Sequence, residues 1–433
     1  MKVMVAVVPV SGHVGPISGL VAELVGRGHQ VRVYTGSRFR QRFIDLGAAV
    51  VTWSAAKEFD EDNLASTFPV ARRLLTAIAV ARDGFIGTAR GQVQDLSREL
   101  EREPADILVA DSMSFGGVLT SELRSLPWAM LNVLPFNQGF ELAPPGFKVK
   151  PARGALGRQR DRLLWLVYRA STSPFTHAYN RARAQIGLPR DRRPYGRVLF
   201  SDWLVLATGC PGLDVPRPDL PDSIHFVGRL EPAGAKLSSA ASGESTRPLV
   251  VVTQGTLELD YTEVIGPALE GLADLEVEVI ATSGRRGQTE VGLALPTNAR
   301  VVDLIDFGSV LPRASVFVTN GGWGGVLASL AAGVPLVIAA GVAGDKPEIA
   351  ARVARSGAGI NLRTGRPKPS AVGGAVREIL ANPSYAKRAR EIASELDQLG
   401  GAGAAADLLE RLAETRAPVR RIGNPWSSTP KSA

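Results

Sequence analysis

Two ionisable residues and one glycine-rich turn could carry chemistry in this chain. His13 stands in Pro9-Val10-Ser11-Gly12-His13, between the apolar run Val3–Val8 and a helical pattern expected from Pro16. The positive end of a helix dipole disfavours imidazolium, so a neutral His13 in that loop suits a general base near pH 7. Asp111 closes the apolar run Ile107–Ala110 and precedes Gly116-Gly117. It either caps the next helix or holds a histidine ring at the same sheet edge and stabilises the proton that ring takes up. Thr319-Asn320-Gly321-Gly322-Trp323-Gly324-Gly325 follows a buried strand pattern and opens a helix stopped by Gly333. Glycine within a helix costs about 1 kcal/mol relative to alanine, so Gly324 and Gly325 in a first turn need a reason. An anion drawn close to backbone N–H groups is one; an ordinary strand-to-helix connection is the other.

Weaker signals accompany these. Gln254-Gly255-Thr256 ends another buried run, where backbone N–H groups and a hydroxyl suit phosphate oxygens or form a plain turn. Asp345-Lys346-Pro347 precedes a helix expected to start at Pro347. That start leaves Asp345 one residue ahead of the cap, available to accept bonds from hydroxyls. The chain has no Walker loop, no zinc or calcium spacing and no Gly-x-Ser-x-Gly elbow. Its first loop is not a Gly-x-Gly-x-x-Gly fingerprint, which argues against a nicotinamide enzyme.

The elements that must position these residues alternate between strand and helix. Strands are expected at Val3–Val8, Val31–Tyr34, Ala48–Val51, Ile107–Ala110, Ala129–Val133 and Leu204–Ala207. After a proline-rich stretch and an Ala/Ser-rich loop, Gly234 to Gly243, the alternation restarts at Leu249–Thr253 and runs to Ile360–Leu362. The fold class is α/β, with two doubly wound parallel-sheet domains and a cleft expected between them. The expected boundaries are 1–212, a linker at 213–247, a second domain at 248–400, and a helix with a frayed tail at 401–433.

At 433 residues, two domains are the default. The single cysteine, Cys210, fits a reducing cytoplasm, and no apolar run approaches the length of a membrane span. The net charge of +8 owes much to arginines between Arg153 and Arg193. Without interleaved aromatic platforms, that cluster reads as solvated helix faces, and nucleic acid is not an expected partner.

Together these pieces resemble the family-one, inverting glycosyltransferases built from two facing Rossmann-like domains, the GT-B fold. The resemblance covers nearly the whole chain and is most specific over Phe317–Gly359, in Thr-Asn-Gly-Gly-Trp, Ala-Ala-Gly-Val-Pro-Leu and Asp-Lys-Pro-Glu-Ile-Ala. It looks most like the bacterial branch that decorates antibiotics, macrolides, phenolics and lipids. The resemblance implies sugar transfer from a UDP- or dTDP-sugar to a hydrophobic acceptor, with no metal and no cofactor beyond the donor. It makes His13 the base and Asp111 its partner. Ser11, Gly12, Gly255, Thr256, Ser283, Asn320, Gly321, Gly322, Trp323, Gly324 and Gly325 become donor contacts, with Leu304 and Ile305 around the base. Asp345 then holds the sugar, Lys346 adds charge near the diphosphate or bonds the sugar, and Phe136, Phe140, Phe147 and Trp165, with Tyr168 and Phe175, offer apolar surface to the acceptor.

Several positions depart from the pattern. Asn320 stands where the family usually has histidine, Ala328 where a ribose-binding glutamate is common, Lys346 for a frequent glutamine and Asp306 for proline. The alternatives carried forward are a transferase acting on lipid at a membrane surface, a sugar-nucleotide epimerase of this fold, and a non-catalytic donor-binding partner.

Overall fold

The computed structural model describes residues 1–59, 67, 80–135, 154–193, 195–217, 220–231, 247–255, 260–341 and 344–426. The chain forms two compact units. The first gathers Met1–Thr208, Pro216–Pro232 and Gly400–Ala433; the second gathers Gly209–Val215 and Ala233–Leu399.

The first unit is built on seven parallel strands: β1 (Lys2–Ala6), β2 (Gln30–Thr35), β3 (Ala49–Thr52), β4 (Ile107–Asp111), β5 (Trp128–Asn132), β6 (Leu204–Thr208) and β7 (Ile224–Gly228). Their order is β3-β2-β1-β4-β5-β6-β7. The first strand shows why the sequence reads as an unbroken apolar run. Val3, Val5 and Val7 enter one core while Met4 and Ala6 enter the other, so both faces are covered. Helix α1 (Ser11–Gly26) lays Ile17, Leu20, Val21 and Leu24 against the first core. Helices α2 (Ala89–Arg102) and α3 (Phe115–Leu123) cover the second. Two further helices, α4 (Gly154–Ser171) and α5 (Ser173–Gln185), follow β5.

The second unit has six parallel strands: β8 (Leu249–Thr253), β9 (Glu278–Thr282), β10 (Ala299–Val302), β11 (Ala314–Thr319), β12 (Leu336–Ile338) and β13 (Gly359–Asn361). Their order is β10-β9-β8-β11-β12-β13. Its helices include α6 (Ile265–Leu272), α7 (Trp323–Ala331), α8 (Lys346–Ser356), α9 (Pro369–Ala381) and α10 (Pro383–Gln398). The last helix, α11 (Gly401–Thr415), belongs to the first unit, where Asp407 and Glu410 meet Arg27, the residue that ends α1. In each sheet the chain winds outward from one central strand and then reverses. The switch points lie between β1 and β4 and between β8 and β11, where ligands of such sheets bind beyond the carboxyl ends.

Three expectations need correction. The helix expected from Pro16 begins at Ser11 and carries Pro16 inside it. As the sixth helical residue, Pro16 forfeits the bond that its missing N–H would give to the Gly12 carbonyl, a cost the helix carries in its second turn. The stretch expected as a linker, 213–247, contains β7, a full member of the first sheet; flanking prolines hid a strand of five residues. The tail expected to fray is ordered through Trp426. Val419 donates its N–H to the Trp203 carbonyl at 2.8 Å, Arg421 donates its own to the Asp222 carbonyl at 2.7 Å, and Trp426 packs edge-on against Phe226. It thereby covers the strand edge at β7.

Most of the described arginines of the cluster are exposed, as expected, but two are engaged within the protein. Arg183 is buried in a bidentate pair with Glu122, and Arg193 is held by Asp191. Among the described residues no helix is long and apolar enough to cross a membrane.

Candidate active site

In the first unit, His13 sits in the first turn of α1 rather than in a loop, directly after β1. Asp111 is the last residue of β4, the neighbouring strand. Their side chains meet at the switch point: His13 Nδ1 lies 2.7 Å from Asp111 Oδ1. Both are buried, Asp111 almost completely. A carboxylate only accepts, so Nδ1 is the donor, which in the neutral ring leaves the lone pair on Nε2. Asp111 is itself fixed from three sides. Oδ2 accepts the Val8 N–H at 3.2 Å, while Oδ1 accepts the Ser112 hydroxyl at 3.1 Å and the Met113 N–H at 3.4 Å. The cap of α3 is Ser114, so Asp111 does not cap that helix, and its carboxylate meets the His13 ring instead.

Ser11 and Gly12 form the same first turn, and no side chain caps α1. A Cβ at Gly12 would meet nothing within 4 Å, so packing does not require glycine there.

The second unit gathers its candidates at the carboxyl ends of β8, β11 and β12. Asn320 Nδ2 donates to the Gln254 carbonyl, which ties the turn after β11 to the turn after β8. Gly255 and Gly321 hold positive φ of 79° and 90°, a conformation that favours glycine. The Gly321 Cα faces Lys346: a Cβ there would lie 3.6 Å from the Lys346 carbonyl oxygen and 3.8 Å from its Cβ. The starts of α7 and α8 therefore converge. Helix α7 has Gly322 as its N-cap, with no side-chain bond to the first-turn amides. A Cβ on Gly324 would meet nothing within 4 Å. Backbone N–H groups and the dipole of α7 form a cradle for an anion. Asp345 is the N-cap of α8, one residue closer than expected, yet its side chain makes no capping bond.

Other expected donor contacts take different roles. The Trp323 indole packs in the core against Gly209 and leaves only its backbone N–H at the helix start. Ser283 is buried, and its hydroxyl lies 2.5 Å from the Gln288 carbonyl and 3.2 Å from that of Asp303, so it fixes the turn after β9. Leu304 is exposed beyond β10, and Ile305 packs partly on the core. Asp306, unusual for the pattern, caps a short helix by accepting the Gly308 N–H at 3.1 Å. Asp306→Ala is expected to cost about 1 kcal/mol, read as a lower denaturation midpoint with an unchanged slope. Thr256, Phe136, Phe140 and Phe147 lie outside the described residues.

Trp165 is half-buried on α4 and meets Tyr168 edge-to-face at 5.2 Å. The sequence reading included Tyr168 and Phe175 in this surface but missed Tyr195 and Phe115. Phe175 stacks on Tyr195 at 5.0 Å, and Tyr195 stacks on Phe115, the first residue after the Asp111 loop and its Ser114 cap. Burial raises the phenol pKa of Tyr168 and of Tyr195, so both stay neutral. Nothing local in the sequence brings Tyr195 to these rings.

Comparison with known proteins fits this geometry. The family of erythromycin biosynthesis protein CIII-like C-terminal domains matches residues 267–400. The 4'-demethylrebeccamycin synthase of Lentzea aerocolonigenes is 36% identical over 422 residues, 95% of this chain and 99% of that protein. The chain belongs to the family-one natural-product glycosyltransferases. UDP-glucosyltransferase 1 of Beauveria bassiana (strain ARSEF 2860) is 29% identical and covers 92% of each chain. Among solved structures, the glycotransferase of kitacinnamycin has a TM-score of 0.75 at 22% identity, over 95% of this chain and 98% of its own. The glycosyltransferase VinC, solved in complex with dTDP, has a TM-score of 0.70 at 21% identity, over 96% and 100%. At those identities the likeness is one of fold, and it is the GT-B fold. This glycosyltransferase moves a sugar from a nucleotide sugar to a small-molecule acceptor. The epimerase, the donor-binding partner and the lipid transferase are not favoured.

Proposed function

We propose that this glycosyltransferase works with inversion and without a metal ion, using His13 as the base and the amides at the start of α7 as the leaving-group site. The observation that carries the reading is the 2.7 Å contact between His13 Nδ1 and Asp111, which directs the basic Nε2 away from the carboxylate. His13 Nε2 takes the proton of an acceptor hydroxyl as that oxygen bonds to the anomeric carbon. The bond from that carbon to the diphosphate breaks, and the nucleoside diphosphate leaves with the electron pair. N–H groups from Gly322 to Gly325 and the helix dipole meet the charge that develops. Attack from the face opposite the leaving group inverts the configuration.

Asn320 and the glycine turn supply neutral donors, and Lys346 supplies a cation beside them. A UDP- or dTDP-sugar is the donor class, supported by the relatives' names and by the dTDP complex of VinC. Aromatic surface on α4 and α5 supports a hydrophobic acceptor.

The test is a donor panel read by proton NMR, with and without EDTA. An α-linked donor is expected to give a β-glycoside at a rate that EDTA leaves unchanged, with nucleoside diphosphate released only when acceptor is present. A retained α-configuration overturns inversion. Activity lost to EDTA and restored by magnesium overturns metal independence.

A further inference from the structure

The inner side of α4 carries a carboxylate that neither the fold nor the steps above employ. Asp161 is only 4% exposed. Its Oδ1 is held by Arg160, through Nε at 2.8 Å and Nη2 at 2.7 Å. Its Oδ2 is buried without a hydrogen-bond partner. A buried acceptor oxygen left unpaired costs free energy, and native proteins seldom keep one without a use.

The neighbours point to that use. Asp161, Trp165 and Tyr168 are spaced i, i+4 and i+7, on one face of the helix. That face is the buried one, whereas Leu156, Leu163 and Leu166 are exposed on the rest of the helix. The result is an unsatisfied acceptor atom beside two half-buried aromatic side chains. Arg160 already balances the carboxylate's charge, so Oδ2 suits a neutral hydrogen-bond donor better than a cation.

We propose that Asp161 is a specificity residue for the acceptor: Oδ2 takes a hydrogen bond from an N–H or O–H of a planar aromatic acceptor lying along Trp165 and Tyr168. The group recognised is not the hydroxyl that receives the sugar. The proposal rests on the glycosyltransferase reading, and it adds that the acceptor carries a second polar hydrogen at a distance from the reacting one. Sites built to pair a polar hydrogen reject the analogue that lacks it, because their own buried acceptor is then left unpaired.

The experiment is calorimetric titration of the intact protein, without donor, by 2,6-dihydroxynaphthalene and by its dimethyl ether, 2,6-dimethoxynaphthalene. The two share the naphthalene plane, and only the diol has a hydrogen to donate. Wild type is expected to bind the diol about tenfold or more tightly than the dimethyl ether. Asp161→Leu should bind both equally, at the affinity of the ether. Asp161→Asn should keep part of the preference, since its amide oxygen still accepts. Because the unpaired oxygen is a cost to the fold, Asp161→Leu should melt no lower than wild type. The assignment is overturned if Asp161→Leu keeps the wild-type preference, if wild type binds neither compound, or if both variants melt well below wild type. No turnover is involved, so failure here leaves the inversion assay intact, and failure of that assay leaves this titration readable.

Discussion

Replacing His13 by alanine is expected to lower kcat by about three to four orders of magnitude while leaving donor affinity within twofold of wild type. The split follows from where the residue sits. His13 belongs to the first unit, while the amides assigned to the diphosphate belong to the second. Loss of the ring removes the proton acceptor and nothing that holds the donor. Asp111→Asn should be nearly as damaging, for a more specific reason. The amide has one oxygen to offer where the carboxylate had two. The Val8 N–H, 3.2 Å from Oδ2, belongs to the backbone and cannot turn away. The imidazole and the Ser112 hydroxyl can turn, and the Met113 contact is already long at 3.4 Å. The amide therefore keeps its oxygen at Val8 and presents NH2 to His13. Nδ1 then accepts, Nε2 carries the hydrogen, and the ring is in the wrong tautomer to take a proton. Steady-state kinetics with calorimetric donor binding separates the two effects. A His13→Ala protein with near wild-type kcat would remove the base assignment.

The parts of this site legible from sequence are those fixed by backbone direction. In a parallel sheet every strand's carboxyl end lies on one edge, so finding β1 and β4 places His13 and Asp111 on that edge before any coordinate is known. The glycines before and within α7 announce themselves because a helix start without Cβ atoms is costly. What escaped is set by packing. Whether Trp323 turns its indole outward or into the core depends on Gly209, more than a hundred residues away, whose missing Cβ makes the room. Ser283 has the residue type of a phosphate contact, yet carbonyls at 288 and 303 surround its hydroxyl. Strand β7 was hidden by its prolines, and its pairing with β6 depends on a chain that has already crossed into the other unit and returned. Long-range closure of this kind leaves no periodic trace.

Gly324→Ala is expected to strengthen the fold and weaken the donor site at once. Residue 324 lies in the first turn of α7, where an added Cβ meets no protein atom within 4 Å. Alanine should therefore stabilise the helix by about 1 kcal/mol, seen as a rise of about 2–4 °C in the melting of the second unit. Cα–Cβ bonds in a helix tilt toward its N-terminus, so the new methyl points into the space before the open amides. An anion held off those N–H groups loses the equivalent of one bond to a charged partner, about 10- to 150-fold in affinity. Gly325→Ala is the control. Its Cβ would sit 3.6 Å from Phe317 and 4.0 Å from Phe307, in ordinary contact on the core side. That methyl should leave donor affinity within about threefold of wild type, since it adds nothing where the diphosphate rests. Thermal melts with and without nucleoside diphosphate read both effects in one experiment, because a ligand that binds only the folded state raises the midpoint. Equal losses in the two variants would mean that the start of α7 is merely sensitive to disturbance. A loss confined to Gly324→Ala, in a protein that melts higher than wild type, means that the glycine leaves room for the donor at the expense of the helix.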